Sequence, residues 1–134
     1  MANVVIDTQI AVWHFENSPR LSANAISALE STQQQNGTII LPTISIVELI
    51  YLIEKGRLVP ETLARLNSEL RLSNTSFATQ DLTKEISNTL SLIPRSTVPD
   101  MPDRIIAATA LYLDLPLITS DSDIQKLTNI QTIW

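Results

Sequence analysis

Short apolar runs rich in β-branched residues alternate along this chain with stretches whose apolar residues recur at helical spacing, and that alternation leaves few folds open to it. Val4-Val5-Ile6, Thr38-Ile39-Ile40-Leu41, Ser76-Phe77-Ala78 and Leu117-Ile118-Thr119 have the pattern of strands, and Ile130 to Ile133 that of an edge strand. Between them, Leu21, Ala25, Ala28 and Leu29 mark one helical face and Leu63, Leu66 and Leu70 another. Leu82, Ile86, Leu90 and Ile93 mark a third face, and Ile105, Ile106, Thr109, Ala110 and Leu113 a fourth. A further helix is expected from Ser45 to Lys55, stopped by Gly56; Pro60 suits the first turn of the next, and Pro116 separates a helix from the fourth strand. The expected fold class is α/β with a mainly parallel sheet of about five strands. With 134 residues the chain can bury one core, so a single domain over 1–134 is expected.

Composition narrows the chemistry. The chain has no cysteine and one histidine, His14, which removes thiolate zinc sites, iron–sulfur clusters, cysteine nucleophiles and multi-histidine metal sites. His14 is expected to be a packed or surface residue of the first helix. The longest apolar stretch, Ile44 to Ile53, is interrupted by Ser45 and Glu48 and falls short of the ~20 residues of a membrane span. MANVVID carries neither a basic region nor a cleavable apolar segment, so a cytoplasmic location without membrane contact is expected. Nine Lys and Arg against fourteen Asp and Glu give a net charge of −5, which argues against coating nucleic acid through bulk charge. Acids clustered around a bound cation would reverse that sign locally.

Ligands of open parallel sheets bind beyond the carboxyl ends of the strands, and acids recur there. Asp7 follows the first strand and Asp121 the fourth; Glu48 lies one turn into the helix after the second, and Asp103 begins the helix before the fourth, with Asp100 and Asp123 close by. Each has a plain alternative as a helix cap: Asp7 and Asp121 as N-caps, Ser45-Ile-Val-Glu48 as a capping box, Asp100-Met-Pro-Asp103 as a helix entrance. Caps, however, have no reason to collect at one end of one sheet, whereas a hard cation requires converging oxygens. Mg²⁺ or Mn²⁺ suits such ligands, and a carboxylate-bound ion can activate water against a phosphodiester. Thr8, Thr119 and Ser120 add hydroxyls that either assist there or satisfy nearby backbone groups.

These segments, in this order, resemble the PIN-domain family. Val4-Val5-Ile6-Asp7-Thr8 is similar to its opening strand and first acid, and Ser45-Ile46-Val47-Glu48-Leu49 to its second. Asp100-Met101-Pro102-Asp103-Arg104 and Thr119-Ser120-Asp121-Ser122-Asp123 are similar to its third and fourth. The length is close to that of VapC-type toxins of bacterial toxin–antitoxin systems. The resemblance implies a three-layer α/β/α fold and a Mg²⁺- or Mn²⁺-dependent ribonuclease acting on RNA, homodimeric and held inactive by a small antitoxin. It implies Asp7, Glu48, Asp103 and Asp121 as metal ligands and catalytic acids, with Asp123 either a further ligand or a cap. Asp100 is expected just behind the ligands.

Lys55, Arg57, Arg65 and Arg71, with Arg20, Arg95 and Arg104, either flank the cleft and contact phosphates or form solvated faces interleaved with Glu54, Glu61 and Glu69. Arg104 is alternatively expected to pair with a site acid. The apolar helix Ser45 to Lys55, with Trp13 and Phe15, is either fully buried or covered by a partner. Two other functions remain open from sequence: a PIN scaffold that binds RNA or a protein without cutting, and a receiver-like phosphoacceptor. The latter is disfavoured because no lysine follows Leu117-Ile118-Thr119 before Lys126.

Overall fold

A computed structural model describes residues 3–134, so Met1 and Ala2 of the expected 1–134 unit lie outside the described residues. The chain runs β1 (Val4–Ile6), α1 (Thr8–Phe15), α2 (Ala23–Gln34), β2 (Ile39–Pro42), α3 (Ile44–Glu54), α4 (Pro60–Leu70) and β3 (Phe77–Gln80). It continues through α5 (Lys84–Thr89), a 3-10 turn (Leu90–Leu92), α6 (Met101–Leu113), β4 (Leu117–Ile118), α7 (Ser122–Gln125) and β5 (Thr132–Ile133). The strands form one all-parallel sheet in the order β3-β2-β1-β4-β5.

The sheet is covered on both faces, and β1 shows why. Val4 and Ile6 point into one apolar cluster with Ile10, Leu29, Leu49 and Leu66; Val5, between them, points into a second with Ile86, Ile106, Ala107 and Leu117. The result is three layers, with α1, α2 and α4 on one side and α5, α6 and α7 on the other. In α6, residues 105–110 are all buried, and Ala107, Ala108 and Ala110 pack into the second cluster. Helix α3 spans both clusters, with Leu49 in the first and Ile44 against the second, so it rides over the carboxyl end of the sheet and touches α6.

The strand order also fixes where a site can form. From β1 the chain moves outward through β2 and β3, then crosses back to place β4 on the other side of β1. This reversal leaves a crevice beyond the ends of β1 and β4, and Asp7 and Asp121 follow these two strands.

Several expected boundaries change. The helix drawn through Leu82, Ile86, Leu90 and Ile93 is shorter: Thr83 caps α5 by accepting Ile86 N–H at 3.1 Å, which leaves Leu82 outside and exposed. Pro94 then holds Ile93 in an extended conformation (φ −100°, ψ 108°), and a 3-10 turn closes the segment. Ser45-Ile46-Val47-Glu48 is not a capping box, because α3 begins at Ile44 behind Thr43 and no side chain caps it. Gly56 ends α3 as expected, at φ 72° with its N–H on Ile53 O (3.0 Å) and Arg57 N–H on Leu52 O (2.8 Å), a Schellman pattern. Trp13 is half-buried against Trp134 (centroids 5.7 Å apart), and Phe15 packs with His14 and Phe77, so these aromatics are largely engaged within the fold. Burial pushes the His14 imidazole below its ordinary range despite the nearby Glu69 carboxylate.

Candidate active site

Asp7 stands where β1 hands over to α1. Its backbone is extended (φ −84°, ψ 175°) and its Oδ1 accepts Ile10 N–H at 3.0 Å, so it caps α1. The cap uses one carboxylate oxygen. The other, Oδ2, accepts the hydroxyl of Thr119, whose oxygen accepts Asp121 N–H at 3.0 Å. Thr119 therefore ties the end of β1 to the end of β4. Asp121 in turn caps α7, its Oδ1 accepting Asp123 N–H and Ile124 N–H, both at 2.9 Å.

Across the crevice, Asp100 caps α6 by accepting Asp103 N–H at 3.1 Å, which sets Asp103 in the first turn of that helix. Glu48 projects from α3 and accepts Thr8 Oγ1 at 2.5 Å. Asp7, Glu48, Asp103 and Asp121 line one cleft of about 510 Å³, together with Thr8 and Ser120. Carboxylate oxygens of Glu48, Asp100 and Asp103 lie within 4.8 Å of one another. Capping and clustering are thus not alternatives: Asp7, Asp100 and Asp121 do both.

Two expected residues lie elsewhere. Asp123 pairs with Lys126 at 3.3 Å on the surface, its side chain 46% exposed, and does not line the cleft. Arg104 turns from the acids toward the 3-10 turn, donating from Nη2 to Leu90 O (3.0 Å) and from Nε and Nη2 to Ile93 O (3.2 and 2.9 Å). Both carbonyls lie at the C-terminal end of a helical segment, where a cation is favoured, and Leu90 O also accepts Ile93 N–H at 3.0 Å. Arg65 similarly donates to Phe15 O (3.1 Å), away from the cleft, whereas Lys55 lines an adjoining groove with Glu48, Tyr51, Asp100 and Met101. Sequence reasoning missed Ser45, buried in α3 beside Thr8, because its spacing to Glu48 imitates a capping box.

Gathering acids has an electrostatic consequence. Burial, then the charges of Asp121, Asp100, Glu48 and Asp7, push the Asp103 carboxyl from its ordinary 3.8 to about 8. Burial likewise raises Asp7 to about 6 against the lowering effect of its Thr119 and Ile10 hydrogen bonds, and raises Glu48 against its bond from Thr8. Among the described residues, no ion pair brings a Lys or Arg to these carboxylates. Converging carboxylate oxygens with no cation of their own, and no sulfur or imidazole among the cleft residues, are the donor set of a hard divalent ion.

A family profile described as PIN domain matches residues 4–130. Over 136 aligned residues the chain is 27% identical to "Ribonuclease VapC22" of Mycobacterium tuberculosis, covering 100% of both chains. Its fold is similar to that of a chain in the crystal structure of VapBC2 from Rickettsia felis bound to a promoter DNA fragment, with TM-score 0.73 and 18% identity over 97% of this chain and 96% of that one. It is also similar to one in DNA-bound VapBC from Salmonella typhimurium, with TM-score 0.70 and 20% identity over 98% and 97% of the two chains. Among the described residues, no helix is long and apolar enough to cross a membrane.

Proposed function

Because the chain belongs to the PIN domain family, we propose that it is a cytoplasmic, Mg²⁺- or Mn²⁺-dependent endoribonuclease, the toxin of a toxin–antitoxin pair. The observation that carries this reading is the convergence of Asp7, Glu48, Asp103 and Asp121 on one cleft without a compensating cation. The likeness to Ribonuclease VapC22 over the full chain supports it.

Asp7, Glu48, Asp103 and Asp121 would hold the ion, with Asp100 close enough to share it. When bound, the ion supplies Lewis acidity toward a phosphodiester and a water nucleophile. The protein's part is orientation. Thr119 fixes the Asp7 carboxylate and Thr8 that of Glu48, so both present set oxygens to the cleft. Lys55, in the groove sharing Glu48 with the cleft, would meet an RNA phosphate flanking the scissile one.

The test is calorimetric titration of the metal-free protein with Mn²⁺, followed by incubation of the same samples with total RNA. Wild type is expected to bind the ion and cleave RNA, and Asp7→Asn, which keeps an N-cap residue, to lose both. A folded wild type that binds no Mn²⁺ would leave a scaffold that binds RNA or protein.

A homodimer and a small antitoxin complete the proposal. Helix α3 leaves Val47, Ile50 and Tyr51 exposed (48, 41 and 59%) near the exposed Met101, an apolar face suited to a second copy. Ile50→Glu is expected to convert a dimer to a monomer in light scattering with the fold intact. An unchanged oligomer mass would remove this face from the interface.

A further inference from the structure

Ser45 is a polar residue fully buried inside a helix, where it neither caps nor reaches solvent. Its Oγ lies 2.8 Å from Thr8 Oγ1, which lies 2.5 Å from Glu48 Oε1. A hydroxyl has one proton and two lone pairs, and a carboxylate only accepts. Thr8 therefore donates to Glu48, and its oxygen is left to accept the proton of Ser45. The three groups form a directed relay, Ser45 to Thr8 to Glu48, in which each bond polarises the next. Ser45 and Glu48 are three residues apart on α3 and lie on one side of it, so the helix sets their separation while Thr8 spans it. Thr8 opens α1 directly after Asp7, so the relay also fixes Glu48 relative to the end of β1.

We infer that Ser45 is a positioning residue of the acidic cleft, orienting the Glu48 carboxylate for a divalent cation through Thr8. This inference rests on the metal-dependent reading proposed above. Packing alone gives little reason for a serine here, because alanine has the higher helix propensity and no polar atom to bury. With the Ser45 hydroxyl removed, Thr8 keeps its bond to Glu48 but loses the donor that fixes its own hydroxyl, so Glu48 is held less firmly against the charges of Asp100 and Asp103.

The test is Mn²⁺ affinity of the metal-free, full-length protein, measured by calorimetry for wild type, Ser45→Ala, Thr8→Val and the double variant, with circular dichroism to verify folding. Each single substitution is expected to raise Kd about 10-fold or more, the lower end of what outer-shell hydrogen bonds to metal ligands contribute. In the Thr8→Val background, Ser45→Ala is expected to add less than about twofold, because the relay is already broken. A packing role for Ser45 would instead multiply in full with the Thr8 effect. A Kd within about twofold of wild type for folded Ser45→Ala, or full additivity, overturns the relay and leaves the metal site standing. If Ser45→Ala does not fold, Thr8→Val decides alone, and a wild-type Kd there overturns it. A wild type that binds no Mn²⁺ overturns the metal reading and the relay with it.

Discussion

Asp103→Asn is expected to lower RNA cleavage by about 10²-fold or more and, in the same protein, to raise the thermal midpoint of the metal-free form. The activity loss follows from removing one of the carboxylates that would neutralise and orient the ion. The gain in stability follows from the raised carboxyl. A group pushed up to about 8 is ionised at pH 8.5 only against burial and the charges of Asp121, Asp100, Glu48 and Asp7. Asparagine keeps the shape and removes the charge. Discounted for solvent reaching the cleft, the relief is about 1–2 kcal/mol, or roughly 3–6 °C for a chain of this size. Cleavage assays and melting curves in chelator check the two halves. Undiminished cleavage would remove Asp103 from the active site, and a lowered midpoint would mean that its carboxylate stabilises the fold.

The second large effect is in the pH dependence of the wild type. Between the ordinary value of 3.8 and the raised values of about 6 for Asp7 and about 8 for Asp103, the folded state binds more protons than the unfolded state. Metal-free stability therefore falls as pH rises through that window and levels off above it. The lowered His14 acts in the opposite sense, its stability contribution being lost as pH falls below the ordinary 6.5. The decline from about 6.5 to 8 thus belongs chiefly to Asp103. A divalent ion held by these acids, as proposed above, would have to displace those protons, so its stabilising effect would grow over the same range. At 100 times Kd it amounts to about 2.7 kcal/mol. Melting curves from pH 6 to 8.5, in chelator and in excess Mg²⁺, should diverge as pH rises; parallel curves would argue against an ion at these acids.

The sequence revealed the parts of this site that depend on near neighbours. Asp7, Asp100 and Asp121 were visible because strand endings and helix starts are local events, and a cap is set within three residues. The five strands were visible as β-branched runs, though their ends moved by a residue or two where hydrogen-bond partners come from distant segments. What stayed hidden depends on contacts across the chain. Arg104 looked free for phosphate or carboxylate until the turn before α6 brought carbonyls to it. Ser45 looked like a cap because nothing local places Thr8, 37 residues earlier, beside it. Asp123 and Asp100 shared the same helix-entry pattern, and only the packing of α6 against α3 set Asp100 among the cleft acids and left Asp123 to Lys126.

The strand order has a consequence for when the cleft is assembled during synthesis. The central strand β1 precedes β2 and β3 in the chain, whereas its neighbour on the side of the acidic cleft, β4, with Asp121 and the Thr119 tie, follows all three. A growing chain can complete β1, β2 and β3 and their helices while one wall of the crevice is still absent. Until the segment carrying β4 emerges and inserts beside β1, the acids of the cleft cannot all converge, and the ribonuclease proposed above would have no complete site.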